Sequence, residues 1–348
     1  MAGRDFLFSD LHCTEEVLDA FARAQGIWEQ KTDQDPSSCG CCRLGRVIKL
    51  DRTYPLVLTE DGPLRAEHTA ELKKKARYLS AVGDWVALAC PDGQDTPLIF
   101  SLLPRTHVLK RREMNGNEQV LAANVDRVFL MSTLSGEGVD IRHLERMLVV
   151  AHESGASAAI VLSKADEAAH LQEDLDQVRL RVGEVPVILE SSRTGQGVEE
   201  VRALIPPGCT AVLLGKSGVG KSTLVNRLVG EDVLETGEVR ESDGKGRHTT
   251  VSREMFLVPG GGLIIDAPGL RSIQIWDVIE GLDRAYEDVL AFADDCRFRD
   301  CTHTVEPGCG LVAAVERGEL PLHRLESYRA LSAEAAEARK MAEQARWR

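Results

Sequence analysis

The nine residues Gly215-Lys216-Ser217-Gly218-Val219-Gly220-Lys221-Ser222-Thr223 constrain this chain more than any other stretch. They match Gly-x-x-x-x-Gly-Lys-Ser/Thr in full, between the apolar run Ala211-Val212-Leu213-Leu214 and a segment from Lys221 to Val229 that reads as a helix. That strand, loop and helix setting is the one a phosphate-binding loop requires. Its glycines let the backbone curl until successive N–H groups face phosphate oxygens, and the following helix turns its positive end to the same place. Lys221 is expected to reach the β- and γ-phosphates and Ser222 to ligate Mg²⁺. Around this loop, from Val125 onward, strands alternate with helices. Strands are expected over 127–132, 158–162, 185–189, 210–214, 255–258 and 262–265, and helices over 141–152, 167–182, 198–204 and 221–229. Such alternation implies a mostly parallel sheet.

A second loop selects the base. Ala159-Ile160-Val161-Leu162 leads into Ser163-Lys164-Ala165-Asp166, which resembles the Asn/Thr-Lys-x-Asp motif of GTPases. There the Asp carboxylate accepts two hydrogen bonds from guanine N–H groups and the Lys stem packs on the base. Adenine offers no matching donors, so Asp166 would be left unpaired against ATP. Ser163 stands where the motif usually has Asn, which leaves the tie between this loop and the phosphate loop unassigned. One βα unit later, Glu190-Ser191-Ser192-Arg193-Thr194-Gly195-Gln196-Gly197 resembles the Ser-Ala-x-x-Gly-x-Gly segment that supports the base, with Ser191 and Ser192 as candidate contacts.

After the phosphate loop, Asp266-Ala267-Pro268-Gly269 resembles Asp-x-x-Gly, with Asp266 holding Mg²⁺ through water and the Gly269 N–H sensing the γ-phosphate. Between them lies the polar stretch 242–250, in which Thr249 or Thr250 would complete the Mg²⁺ shell. The base motif therefore precedes the phosphate motifs, the order of a circularly permuted GTPase domain. Many GTPases place a water-orienting Gln after the Asp-x-x-Gly glycine, but here Leu270 follows. His248 is the nearest candidate for that catalytic task, and slow turnover that rises when a partner orders the switches is expected.

The rest of the chain is read more coarsely. At 348 residues, 43% hydrophobic and 28% charged, it suits two or three globular domains, and no apolar run approaches the ~20 residues of a membrane span. The opening residues lack a signal-peptide pattern, so the expected compartment is the cytoplasm. A net charge of −13 argues against indiscriminate nucleic-acid binding, yet from Arg43 to Arg112 there are 13 Lys and Arg against 8 Asp and Glu. That basic region carries about five short β-like runs with Asp-Gly turns, which fits a small all-β barrel such as an OB-fold, a frequent RNA-binding platform. Residues 1–42 read as an appended arm with a flexible joint. Its Cys39, Cys41 and Cys42 have no neighbouring His or fourth Cys. By contrast Cys296, Cys301, His303 and Cys309 form Cys-x₄-Cys-x-His-x₅-Cys, a donor set that closes a structural Zn²⁺ shell. It would staple a small helical module ending in a helix from Leu325 to Arg348.

Three motif systems in this order, supported by Val82-Gly83-Asp84-Trp85-Val86, Ala123-Asn124-Val125-Asp126 and Gly246-Arg247-His248-Thr249-Thr250, resemble the bacterial ribosome small subunit-dependent GTPase A family over about residues 43–340. The expected organisation is an arm (1–42), an OB-fold RNA-binding domain (43–112), a circularly permuted P-loop α/β GTPase domain (113–275) and a zinc-binding helical domain (276–348). The resemblance implies a monomeric GTPase that acts in late maturation of the 30S subunit, contacts its 16S rRNA, is stimulated by it and cycles between GTP and GDP. A permuted GTPase of another ribosomal particle and an RNA-binding scaffold that holds GTP without hydrolysing it are the alternatives.

Overall fold

The structure, a computed structural model, describes residues 6–32, 41–51, 54–76, 78–90, 96–112, 118–136, 138–234, 253–266, 279–304 and 306–346. A 3-10 turn at Phe8–Leu11 leads into α1 (Glu15–Thr32). This segment, read from sequence as an appended arm, packs closely. Phe6, Leu11 and Ala20 are buried. Phe8 meets Trp85 edge-on with ring centroids 5.9 Å apart, and Trp28 stacks on Phe100 at 4.6 Å.

Next come β1 (Cys41–Leu50), β2 (Leu56–Thr59), β3 (Gly62–Arg65), β4 (Glu67–His68), α2 (Ala70–Lys75), β5 (Trp85–Cys90) and β6 (Leu98–Leu102). Strand β1 pairs antiparallel with both β2 and β5; β2 continues to β3, β5 pairs with β6, and β6 runs parallel to β4. Only Ala66 separates β3 from β4, so the chain itself links the two ends of this run of paired strands. Alternate side chains turn inward along each strand, and Val47, Val57, Ala66, Val86, Leu88 and Ile99 form a dry core within this unit. The hairpin of β7 (Val108–Arg112) and β8 (Glu118–Ala123) crosses the boundary expected at residues 112 and 113. It presses on Gly83, where φ is +95° and a Cβ would lie 2.0 Å from the Ala123 carbonyl oxygen, so no larger residue fits.

The second half alternates as expected: β9 (Arg127–Thr133), α3 (Ile141–Ser154), β10 (Ser157–Ser163), α4 (Leu171–Val182), β11 (Val187–Leu189), α5 (Val198–Ala203), β12 (Thr210–Gly215), α6 (Lys221–Val229), β13 (Arg253–Leu257) and β14 (Leu263–Asp266). The sheet order is β11-β10-β9-β12-β14-β13, parallel except for β13. Helices cover both faces, which is why Val128 to Met131 and Ala211 to Leu214 are almost fully buried and read as unbroken apolar runs. Strand β13 also pairs with β1 at Lys49↔Glu254, and the two side chains form an ion pair at 2.7 Å. The β1–β6 unit is thus sewn to the edge of the parallel sheet. A second tie is Arg46, 3% exposed, which donates to Thr210 Oγ1 at 2.9 Å and to the carbonyls of Gly83 and Asn124.

The chain ends in α7 (Ile279–Ala285), α8 (Glu287–Leu290), α9 (Gly310–Glu316) and α10 (Leu322–Arg346). Tyr286, Val289, Leu311 and Leu325 share a core that also takes Val149 from α3. Polar bonds reinforce this docking: Ser327 Oγ donates to Glu145 Oε1 at 2.7 Å, and Arg146 pairs with Glu334 at 2.8 Å.

Candidate functional site

The site forms at the carboxyl ends of the parallel strands, where β12 passes into α6 with β9 and β14 on either side. Gly218 and Gly220 take φ of +76° and +97°, the left-handed backbone that lets the loop curl over the first turn of α6. Lys221 Nζ donates to the carbonyls of Gly215 and Lys216 at 2.7 and 2.6 Å. The cationic head is therefore held across the mouth of the loop, where a phosphate can take it over. Ser222 and Thr223 follow in the first turn of α6. Beside the loop lies a cleft of about 470 Å³ lined by Thr133, Ser135, Asp140, His143 and Lys216 to Val219. In it Lys216 Nζ meets Asp140 Oδ2 at 2.5 Å, and that bond holds the Asp140 carboxyl below its ordinary range. His143 Nε2 is buried there without a hydrogen-bond partner, and burial favours the neutral ring.

The base loop lies next to the phosphate loop. Ser163, 1% exposed, donates from Oγ to the Val219 carbonyl at 2.7 Å and lies 3.2 Å from the Ser132 carbonyl. The tie that sequence left unassigned is thus made by a hydroxyl instead of a carboxamide. Lys164 is left-handed at φ 57°, and Ala165 and Asp166 open a 3-10 turn. Ala165 N–H donates to the Glu190 carbonyl at 2.9 Å, joining this turn to the Ser191–Gly197 loop. Hydrogen bonds from the Ser191 hydroxyl and from Arg193 hold the Asp166 carboxyl below its ordinary range. Its neighbour Glu190 is pushed the other way by burial and accepts from Ser192 Oγ. Sequence reasoning passed over Arg193 and Asp140. Asp140 carried one legible signal, as an N-cap before Ile141, but nothing local pairs it with Lys216.

Asp266 ends β14, one strand from the phosphate loop. His248, Thr249, Thr250, Gly269 and Leu270 lie outside the described residues.

Some distance along the chain, the donor atoms of Cys296, Cys301, His303 and Cys309 all lie within 4.8 Å of one another, the only such metal-competent group among the described residues. His303 Nδ1 is 3.5 Å from Cys296 Sγ and 3.6 Å from Cys309 Sγ. A tetrahedral centre with metal–sulfur and metal–nitrogen bonds of about 2.3 and 2.0 Å would separate S and N by roughly 3.5 Å, so the cluster fits such an ion. N–H groups of Gly310 and His303 point at Cys296 Sγ and Cys301 Sγ, at 3.2 and 3.4 Å, as they do around bound thiolates. Cys41, by contrast, faces Cys90 across β1 and β5 and belongs to no such group among the described residues.

A phosphate loop on the central strand and a base loop on β10, adjacent in space but reversed in chain order, define a circularly permuted P-loop GTPase. The RsgA GTPase family model matches residues 102–276. The small ribosomal subunit biogenesis GTPase RsgA of Streptomyces avermitilis is 43% identical over 292 residues, 82% of this chain and 78% of that protein. Its namesake in Methanosarcina acetivorans is 39% identical over 301 residues, 86% and 81% of the two chains. YjeQ from Thermotoga maritima superposes with a TM-score of 0.63 at 26% identity, covering 85% of this chain and 99% of that one. YloQ, a circularly permuted GTPase, gives a TM-score of 0.60 at 23% identity over 85% of this chain and 96% of its own, a likeness of fold alone. This chain belongs to the RsgA GTPase family and is a GTP hydrolase.

Proposed function

We propose that this GTPase acts as a nucleotide switch in late maturation of the small ribosomal subunit, and that the subunit stimulates its hydrolysis. The observation behind the nucleotide-switch part of the reading is the Ser163 to Val219 bond, which couples the proposed guanine-reading loop to the phosphate loop within one permuted sheet. The relatives that match more than four fifths of this chain are small-subunit biogenesis GTPases by name.

In this reading Asp166 accepts from guanine while the Lys164 stem packs on the base and Ser191 and Ser192 frame it. The N–H groups of Gly215, Lys216, Ser217, Gly218, Val219 and Gly220 cradle the phosphates. Lys221 exchanges its two carbonyl partners for β- and γ-oxygens, a trade of neutral for charged acceptors that strengthens each bond. Ser222, Asp266 and Thr249 or Thr250 would hold Mg²⁺, which neutralises charge developing on the phosphates. Leu270 cannot orient water, so an ordering partner, with His248 as the candidate group, accounts for stimulation. The run of paired strands β1 to β6 supports an OB-fold: its parallel β4–β6 pair and the helix α2 before β5 are the Greek-key pattern of that barrel. Basic side chains at Lys73, Lys74, Lys75, Lys110 and Arg111 suit it to rRNA phosphates. Cys296, Cys301, His303 and Cys309 would hold one structural Zn²⁺. The domains proposed are those expected from sequence, with the hairpin of β7 and β8 spanning the limit between the second and the third, and the protein works as a cytoplasmic monomer.

The test is GTP hydrolysis by the purified protein alone, with 30S subunits and with 50S subunits, beside Asp166→Asn. Stimulation by 30S only, lost in the variant, is the expected result. Equal, negligible turnover in every condition would favour a scaffold that holds GTP without using it.

A further inference from the structure

The arginine that sequence reasoning passed over occupies the base-reading carboxylate. Arg193 Nε donates to Asp166 Oδ2 at 2.6 Å, and Nη2 reaches the same oxygen. The Arg193 side chain is 73% exposed while that of Asp166 is 12% exposed, so the arginine lies over the carboxylate from the solvent side. That is the side from which a base must enter. The backbone beneath it is fixed: Ser191 N–H donates to the Gln196 carbonyl at 3.0 Å, Gly195 N–H to the Ser191 carbonyl at 2.8 Å, and Arg227 Nε to the Ser192 carbonyl at 2.8 Å. Rotation of one exposed side chain is therefore enough to open or close the carboxylate, with no movement of the loop.

The chemistry of the two occupants is the same. Guanine presents N1–H and the 2-amino group from a single carbon, and a guanidinium presents Nε–H and Nη–H from a single carbon. Each offers a carboxylate the same planar pair of donors. We propose that Arg193 is a built-in competitor for the guanine edge: it covers Asp166 in the nucleotide-free protein and must be displaced by every incoming guanine nucleotide. The inference rests on the reading of Asp166 as the base selector. Arg193 acts through Asp166 and not on the reacting atoms, so it is a positioning residue. Two consequences follow. Between turnovers the Asp166 carboxylate keeps a charged partner beside the Ser191 hydroxyl, and it loses that partner only when a base replaces it. And the free protein binds nucleotide more slowly than the bare site would, because only the fraction of molecules with the arginine turned away can accept a base.

Surface ion pairs of this exposure shift equilibria by small factors, so Arg193→Ala should accelerate association of fluorescent GDP about two- to fivefold. Dissociation should be unchanged, because the arginine is already displaced in the complex. Arg193→Lys, a single-point donor, should fall between the two. The advantage of Arg193→Ala should shrink as salt screens the ion pair in the parent. A merely structural role for Arg193 would instead speed dissociation and lower the unfolding midpoint.

The same stopped-flow measurement is made on Asp166→Asn and on the double variant, with xanthosine diphosphate as the probe that an asparagine amide can read. In that background the Arg193 substitution should be silent. If Asp166→Asn binds GDP as the parent does, the base-selector reading fails and this proposal with it. If Asp166→Asn loses GDP while Arg193→Ala associates no faster than the parent, or dissociates faster, the base-selector reading stands and the competitor is refuted.

Discussion

Replacing Ser163 by alanine tests the join between the two halves of the nucleotide site. The hydroxyl has one proton, and the 2.7 Å distance to the Val219 carbonyl, against 3.2 Å to that of Ser132, says where it goes. Ser163 is 1% exposed and Val219 4% exposed, so water cannot easily replace the lost donor. Leaving a buried acceptor unsatisfied costs about 1–3 kcal/mol, and some relaxation of the loop places the expected loss of unfolding free energy near the lower end, about 1–2 kcal/mol. The effect on affinity is a separate quantity. In the free protein the loop can turn the Val219 carbonyl towards solvent; with phosphates bound, the peptide is held in place and the missing bond is felt in full. Since about 1.4 kcal/mol is tenfold in affinity, GDP binding should weaken roughly three- to tenfold. Urea unfolding followed by tryptophan fluorescence gives the first number and titration with fluorescent GDP the second. An alanine variant with the parent's unfolding curve and the parent's affinity would show that the hydroxyl does not join the loops. Ser163→Thr, which keeps the donor, should retain most of both.

Two further outcomes follow. If Cys296, Cys301, His303 and Cys309 hold the proposed zinc, Cys309→Ser should lower the zinc content measured by emission spectroscopy from about one per chain to a small residue, and expose the segment from Ile279 onward to limited proteolysis while GDP still protects the phosphate loop. His68 is buried against Ser80 Oγ at 2.9 Å, and desolvation, reinforced by Lys73, holds its pKa below the ordinary value. Its folded pKa is thus depressed from about 6.5: the unfolded chain takes up the proton first, so the contribution is complete above that value and is lost as pH falls through the folded one. The urea midpoint should decline from pH 7.5 to pH 5.5, and His68→Gln should decline less.

Features dictated by a ligand were legible in the sequence, and features dictated by distant packing were not. The spacing of Gly218, Gly220 and Lys221 and the run of Cys296, Cys301, His303 and Cys309 could be read from residue type alone, and the fold gathers the donor atoms of the second set within 4.8 Å of one another. The parallel strands announced themselves because burial on both faces removes polar residues from Ala211 to Leu214. Strand β1 was expected only from Arg46, yet pairing begins at Cys41, because the preceding residues are held by β5 and not by any local preference. The packing of α1 depends on Trp28 meeting Phe100, and the seam between the β1–β6 unit and the sheet on Lys49 meeting Glu254. Neither contact leaves a periodic mark near its own position. Ser163 is the intermediate case: its type departed from the motif, and only the distance to Val219 shows that a shorter side chain makes the same join.

Helix α3 offers a route between the phosphate loop and the proposed zinc module that the chain order alone does not suggest. The switch strand β14 leads towards the C-terminal helices through sequence, but α3 touches both ends directly. Its N-cap Asp140 accepts from Lys216 of the phosphate loop, while Glu145, Arg146 and Val149 along the same helix meet Ser327, Glu334 and the α7–α10 core. Glu145 is 5% exposed and also approaches Arg181 of α4 at 3.5 Å, so it joins α3 to both α4 and α10. Replacing it by Gln keeps the shape and an acceptor but removes the charge that Arg181 and Ser327 answer; replacing it by Ala removes both. If α3 carries strain from the phosphate loop to the zinc module, Glu145→Ala should make proteolysis of α10 insensitive to the nucleotide bound, while parent and Glu145→Gln show slower cleavage in one nucleotide state than the other. Cleavage that responds to nucleotide equally in all three would confine the coupling to β14 and the segment that follows it.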